Sequence, residues 1–207
     1  MFEVIEIEKW SRKDHFLFFR EFDEPFFGVT VRVDMTHCYK KSKENGDSLF
    51  LLYLHAALTA ANEIENFRMR INGAEVRLYE RVHASPTINR PDNTFGFSYL
   101  NYDEDFYEFA EKAKVEIETV KNGTGLQPAI SGENVIHFSA IPWLEFSSVS
   151  HARSFSFPDS CPKISFGKIT EANGIWTMPV SIHVHHALLD GYHVGLFVER
   201  FQHLLNT

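Results

Sequence analysis

Cysteine is scarce in this chain. Cys38 and Cys161 are the only two among 207 residues, which excludes the dense disulfide framework that staples small secreted domains. The opening residues, MFEVIEIEKW, carry neither the basic region nor the long apolar run of a secretory leader. Both thiols are therefore expected to be reduced, and the protein to be cytoplasmic. Long hydrophobic runs are missing too. No stretch approaches the roughly 20 apolar residues that a membrane-spanning helix needs.

Positive charge is in deficit, with 20 Lys and Arg against 28 Asp and Glu and a formal net charge of −8. Such a chain repels a phosphate backbone, which argues against nucleic acid as a general partner. A local basic spot for a phosphorylated small molecule stays compatible with it. Repeats, low-complexity tracts and linkers are absent, so the chain is expected to form one domain over residues 1–207 with a full hydrophobic core. What the chain has in abundance is phenylalanine, 20 residues of it. These form either a Phe-rich core or the lining of a pocket for an apolar or aromatic ligand.

Glu3 to Ile7 alternates and reads as a short strand. Ser11 and Asp14 have the spacing of a capping box, which predicts a helix through Phe16 and Phe19. Pro25 falls in the turn that follows. Val29, Val31 and Val33 alternate with polar residues and predict a strand. Asn45-Gly46 reads as a turn, and Ser48 as the cap of a largely buried helix, LFLLYLHAALTAANEI. Asn72-Gly73 predicts a tight hairpin between RMRI and EVRLY. Helical spacing runs from Phe106 to Val120 and ends at KNGTG. Strands are expected at Val135–Ala140, Leu144–Val149, Lys163–Ile169 and Trp176–Val184, the last two flanking Asn173-Gly174. Val194, Phe197, Val198, Phe201, Leu204 and Leu205 mark a final amphipathic helix. The mixture predicts a layered α/β domain.

The strongest local signal is His183-Val-His185-His186-Ala-Leu-Leu-Asp190-Gly191-Tyr-His193, where a strand gives way to a helix. Strand ends deliver side chains to clefts, and Gly191 permits a sharp turn. A neutral imidazole there can remove a proton from a hydroxyl near pH 7. His183, His185 and His186, with His193 as a fourth, also raise the alternative of a metal-dependent hydrolase. The HxHxDH pattern of metallo-β-lactamase-like enzymes, however, needs an aspartate where this chain has Ala187.

HHALLDGYHV resembles the HHxxxDG motif of the chloramphenicol acetyltransferase family. KWSRKDHFLFF, NFRMRINGAEVRLYERVHASPT, SAIPWLEFSSV and PKISFGK resemble further blocks of the same family, in the same order and across nearly the whole chain. The resemblance implies an α/β two-layer sandwich, a mixed β-sheet with helices packed on it, assembled as a homotrimer with active sites between subunits. It also implies transfer of an acetyl group from acetyl-coenzyme A to a hydroxyl of a small acceptor such as chloramphenicol, with no metal. His186 matches the family's base, whose other ring nitrogen bonds its own backbone carbonyl. Ser148 matches the oxyanion donor, with Ser147 expected on the opposite face of its strand. Ser165 stands where a threonine helps to hold water. Asp190 matches an aspartate paired, bidentately, with an arginine, here Arg12.

Phe18, Phe19, Phe27, Thr87 and Phe95 match acceptor-pocket positions. Phe19 stands where a tyrosine is common, and residues between Asn89 and Asn93 depart from the family pattern, which puts the identity of the acceptor in question. Lys168 matches a lysine near the adenosine phosphate of coenzyme A, whereas the second basic residue there is replaced by Ser48. A homologue that keeps the fold and binds a small molecule without catalysis is the remaining alternative.

Overall fold

Alternation of side chains along one long strand organises the molecule. In the computed structural model, which describes residues 1–126, 132–153 and 159–207, strand β10 (Ile175–His185) buries Met178, Val180, Ile182 and Val184 on one face and turns Ser181, His183 and His185 to the other. Strand β2 (Phe26–Asp34) pairs antiparallel along one side of it, with Val31 opposite Val180. Strand β8 (Lys163–Phe166) pairs antiparallel along the other, with Ser165 opposite Ser181. Beyond β8 lie β7 (Val135–Ala140) and β5 (His83–Asn89), both added in parallel, then β6 (Phe95–Phe97) antiparallel at the edge. The short β9 (Thr170–Ala172) doubles back onto the start of β10 through Asn173 and Gly174, both at positive φ. That conformation suits a two-residue hairpin.

Helices cover the apolar face. Helix α3 (Leu49–Asn62) lays Ala57, Ala60 and Ala61 flat in the core beside Leu51, Leu54 and Leu58. Its start is capped by Ser48, whose hydroxyl accepts the Leu51 N–H at 3.4 Å. Helix α5 (Gly191–Leu205) adds Val194, Phe197, Phe201 and Leu205, and α4 (Phe106–Asn122) adds Phe109, Ala110 and Ala113. The result is the expected mixed sheet with helices on one side, and seven of the 20 phenylalanines lie in the core, with four more packed against it. A separate three-stranded sheet, β1 (Phe2–Val4), β4 (Glu75–Tyr79) and β3 (Met69–Asn72), was not anticipated as a second sheet. Its hairpin turns where expected, with Gly73 at φ 58°.

Four local expectations need correction. Ser11 caps nothing: α1 (Lys13–Phe19) starts after Arg12 without a side-chain cap, and the Arg12 side chain is drawn to Asp190 instead. The first strand stops at Val4, and Ile7–Lys9 forms a 3-10 turn. Helix α2 (Thr36–Asn45) fills a stretch with no apolar periodicity, and Gly46 is its left-handed C-cap rather than a free turn. Finally, Leu144–Val149 is not a strand. Both sides of β7 are already occupied by β5 and β8, so a segment leaving β7 finds no open edge there. It crosses the polar face of the sheet instead. Glu145 pairs with Arg32, and His151 reaches Ser165 and the ring of His183. Because the segment is not a strand, Ser147 and Ser148 are not set on opposite faces, and both are exposed.

Gly167 fixes where that segment lies. Its N–H donates to the Pro179 carbonyl at 2.9 Å, and the Lys168 N–H donates to the Leu144 carbonyl at 2.7 Å. A Cβ on Gly167 would stand 2.6 Å from the Pro179 ring, 2.9 Å from the Phe146 ring and 3.0 Å from the Leu144 carbonyl oxygen. None of these is the end of a flexible side chain. Gly167→Ala should therefore push the segment off the sheet. We expect a loss of about 1–3 kcal/mol, read as a Tm lowered by roughly 3–10 °C. An unaltered melting curve would show that the segment yields at no cost.

Candidate active site

The corner between β10 and α5 is held by backbone bonds before any side chain contributes. His186 N–H donates to the Pro25 carbonyl at 2.8 Å, and the N–H groups of Leu188 and Leu189 donate to His185 at 2.9 and 3.1 Å. Asp190 then caps α5, accepting the Tyr192 N–H at 3.0 Å. Its other carboxylate oxygen accepts from Nη1 of Arg12 at 2.6 Å, and Nη2 of Arg12 donates to the His186 carbonyl at 3.4 Å. The expected bidentate fork is thus not formed. One arm of the guanidinium holds the carboxylate, the other holds the backbone of His186, and Nε is buried without a partner.

His193 completes this cluster. Its Nδ1 lies 2.8 Å from the Asp190 carboxylate and 3.3 Å from the Asp190 N–H. A ring nitrogen cannot donate to one and accept from the other at once, and the shorter, charge-assisted contact is the one its proton serves. Partial burial alone raises the Asp190 carboxyl. Burial is the largest single influence, but the bonds and charges of Arg12 and His193 together outweigh it and hold its pKa down at about 2. The Asp190-x-x-His193 spacing is that of a capping box with histidine in the usual glutamate place. That spacing was the one signal that could have assigned His193 a role.

The His186 imidazole is set between two phenyl rings. Phe19 of α1 stacks on it, centroids 3.9 Å apart and planes 16° from parallel, and Phe27 of β2 lies tilted at 4.6 Å. Its Nδ1 is 3.2 Å from the Leu189 carbonyl oxygen. The partner is therefore Leu189 and not the residue's own carbonyl, which is taken by Arg12. A carbonyl can only accept, so Nδ1 carries the proton and Nε2 keeps a free lone pair.

The other motif histidines face elsewhere. His185 is buried, accepts the Ala187 N–H at 3.3 Å, and is pushed down to about 4, first by burial and then by Arg153. Nε2 of His183 sits 3.1 Å from the Ser181 hydroxyl. The three do not converge, which removes the geometric basis of the metallohydrolase alternative. One group among the described residues does bring metal-ligand atoms within 4.8 Å of each other, His137, Asp159 and Cys161. There the Lys163 ammonium already sits on the Asp159 carboxylate.

The single chain gathers only some of the other expected residues. Phe18 is exposed on α1, edge-on to Phe19 at 5.1 Å. Phe95 is exposed at the sheet edge, edge-on to Phe97. Thr87 of β5 lines a cavity with Asn89 and Trp143. Ser165 is fully buried, 3.5 Å from Nε2 of His151, whose pKa burial and His183 depress to about 4. Lys168 is exposed just past β8. Ser148 is exposed on the segment that crosses the polar face, and no described contact joins it to His186, whose flanking rings pack against the apolar core.

The family model "Chloramphenicol acetyltransferase" matches residues 1–202. A chloramphenicol acetyltransferase of Bacillus pumilus is 30% identical over 99% of this chain and 94% of its own length. Chloramphenicol acetyltransferase 3 of Escherichia coli is 28% identical over 98% and 96%. A solved chloramphenicol acetyltransferase structure superposes with a TM-score of 0.92 at 31% identity, covering 99% of this chain and all of that one. The structure of a probable dihydrolipoamide acetyltransferase from Listeria monocytogenes shares the fold, with a TM-score of 0.67 at 15% identity. Sequence and fold agree along almost the whole chain, which belongs to the chloramphenicol acetyltransferase family of acyltransferases.

Proposed function

We propose that this acyltransferase moves an acetyl group from acetyl-coenzyme A to a hydroxyl of a small acceptor such as chloramphenicol, with His186 as general base. The observation that carries the reading is the state of the His186 ring. The Leu189 carbonyl holds the proton on Nδ1, Phe19 and Phe27 hold the plane, and Nε2 is left as the basic atom. Nε2 takes the acceptor's hydroxyl proton while the oxygen attacks the thioester carbonyl. Ser148 donates to the oxyanion that forms. When that intermediate collapses, the sulfur leaves and takes the proton back from His186, so no covalent enzyme intermediate is needed.

The exposed position of Ser148, apart from His186, supports a homotrimer with shared sites, in which one subunit supplies His186 and its neighbour Ser148. Exposed Phe18 and Phe95 would then face an apolar acceptor across the junction, beside Phe27. Phe19 lacks a tyrosine hydroxyl and stacks on the base, so it orients His186 and offers the acceptor only apolar surface. Ser165, bonded to His151, acts through the polar face behind the oxyanion. Lys168 serves a phosphate of coenzyme A. A cytoplasmic setting suits an acetyl-coenzyme A-dependent enzyme whose two thiols are unpaired.

Arg12 and Asp190 support the base without touching the reacting atoms. Asp and Asn cap helices about equally well, so Asp190→Asn removes the charge and spares the cap. It should cost about 1–3 kcal/mol at neutral pH, as for a hydrogen bond between charged groups that is partly buried. The folded-state pKa is depressed to about 2 from the ordinary 3.8, so this stabilisation is complete above about pH 4 and disappears as pH falls through about 2. The stability gap between wild type and Asp190→Asn, measured by denaturant titration, should therefore close over that interval. A gap independent of pH would show that the charge contributes nothing.

The catalytic assignment is tested by steady-state thiol release. His186→Ala should lower kcat by about 10³-fold or more, and Ser148→Ala by about 10²–10³-fold with KM little affected. Retention of a tenth of the activity by His186→Ala would remove it as the base. Wild-type protein that transfers acetyl to no hydroxyl acceptor would favour a binding-only homologue.

A further inference from the structure

Three side chains of metal-ligating type meet beside the starts of the parallel strands β7 and β8, apart from His186. His137 stands on β7, and Asp159 and Cys161 lie on the segment that leads into β8. The pairing of the two strands sets His137 opposite Lys163, and the His137 N–H donates to the Pro162 carbonyl at 3.0 Å. Asp159 and Cys161 are held to each other, the carboxylate accepting the Cys161 N–H at 2.8 Å. A ring nitrogen, a carboxylate oxygen and the sulfur all lie within 4.8 Å of one another, and each of the three residues is partly exposed, so an ion has a way in. Magnesium and calcium take oxygen ligands, whereas sulfur, nitrogen and oxygen together are a donor set of zinc.

A cation already draws on this cluster. The Lys163 ammonium meets the Asp159 carboxylate. It also donates to the Cys161 carbonyl at 3.2 Å and lies 4.5 Å from the centre of the Phe26 ring. Those two contacts do not involve the carboxylate, so the ammonium can release Asp159 without being stranded. Arg70, the other buried cation nearby, gives its donors to the carbonyls of Phe67, Met69, Glu133 and Val135, which leaves Asp159 to Lys163. We propose that His137, Asp159 and Cys161 bind one Zn²⁺, with a water as fourth ligand, and that Lys163 is a tethered competitor that leaves Asp159 when the ion arrives. Zinc bonds of about 2.0–2.3 Å set tetrahedral donors roughly 3.5 Å apart, so the side chains close by about 1 Å around the ion. The Zn–S bond forms as the S–H bond breaks, and the proton passes to solvent. The ion ties the segment before β8 to β7. The site stands independently of the acetyl-transfer reading.

Zn²⁺ and Co²⁺ are the probes, added to the whole protein without acetyl-coenzyme A. Competition with a chromophoric zinc chelator should show one Zn²⁺ bound per chain. Cys161→Ser and His137→Gln should each weaken that binding at least about tenfold, the loss that even a supporting residue of a metal site causes. Lys163→Met keeps the side-chain stem and removes the ammonium, and should tighten binding about fivefold, the competition of one ion pair. Co²⁺ should give the near-ultraviolet charge-transfer band of a thiolate ligand. That band should survive Cys38→Ala and vanish in Cys161→Ser. His183→Gln, a change in the other histidine cluster, should leave Zn²⁺ affinity unaltered. The site is contradicted if neither the wild type nor Lys163→Met binds Zn²⁺, or if Co²⁺ gives no such band. Binding that withstands both Cys161→Ser and His137→Gln puts the ion elsewhere and overturns the proposal as well. Weaker binding by Lys163→Met overturns the role given to Lys163. Neither readout involves turnover, so each result stands whether or not the chain transfers acetyl groups.

Discussion

The contact between Arg12 and Asp190 ties the N-terminal segment to the turn after β10. Asp190 terminates the turn after β10 and begins α5, so its carboxylate sits where four backbone N–H groups need acceptors. Arg12 approaches from the segment before α1 and divides its donors between that carboxylate and the His186 carbonyl. One guanidinium thus fixes the helix start, the turn and the N-terminal segment against each other. Phe19 is carried in on the helix that follows Arg12, which is how a ring from α1 comes to lie 3.9 Å from an imidazole at the far end of the chain. The ion pair and the stack thus bring the same N-terminal segment to the same turn.

The polar face of the sheet has a different logic. Ser165, Ser181, Lys163 and His185 are all buried there, the last two against the Phe26 ring. Each is matched locally: His151 reaches Ser165, Ser181 meets His183, Lys163 meets Asp159, and His185 accepts from Ala187. A buried polar surface is tolerable only when its groups are satisfied in this way. The segment from Leu144 to His151 can therefore cross it and hold Ser148 outward, on a seat set by Gly167 and Pro179. His186, by contrast, belongs to the apolar side through Phe19 and Phe27. The proposed site, which uses both residues, would join two surfaces that one chain keeps apart.

Much of this was legible in the sequence wherever burial is periodic. The β2 and β10 strands alternate, α3, α4 and α5 carry apolar stripes, and HHALLDG stands at a strand end with the residue types a base and a cap require. The pattern failed where structure does not depend on apolar periodicity. Helix α2, THCYKKSKEN, buries little besides Cys38 and Ser42 and is held by its ends. The segment at Leu144–Val149 alternates like a strand, but strand formation needs a free edge, and availability of an edge is a property of the whole sheet. The Arg12–Asp190 pair was readable only through family resemblance. Its division between carboxylate and carbonyl, the Phe19 stack and the choice of Leu189 as the partner of Nδ1 depend on contacts between residues far apart in the chain, which no local pattern encodes.

The central claim is that His186 and Ser148 act on one substrate from different subunits. It is tested most directly by mixing. His186→Ala and Ser148→Ala proteins are co-refolded in equal amounts, and subunit exchange is verified with a mass tag. Random assembly places an intact His186 opposite an intact Ser148 at about a quarter of the interfaces. The mixture should therefore recover roughly that fraction of wild-type turnover from two nearly inactive parents. If exchange is complete and the mixture is no more active than the average of its parents, both residues act within one chain, and the shared site is contradicted.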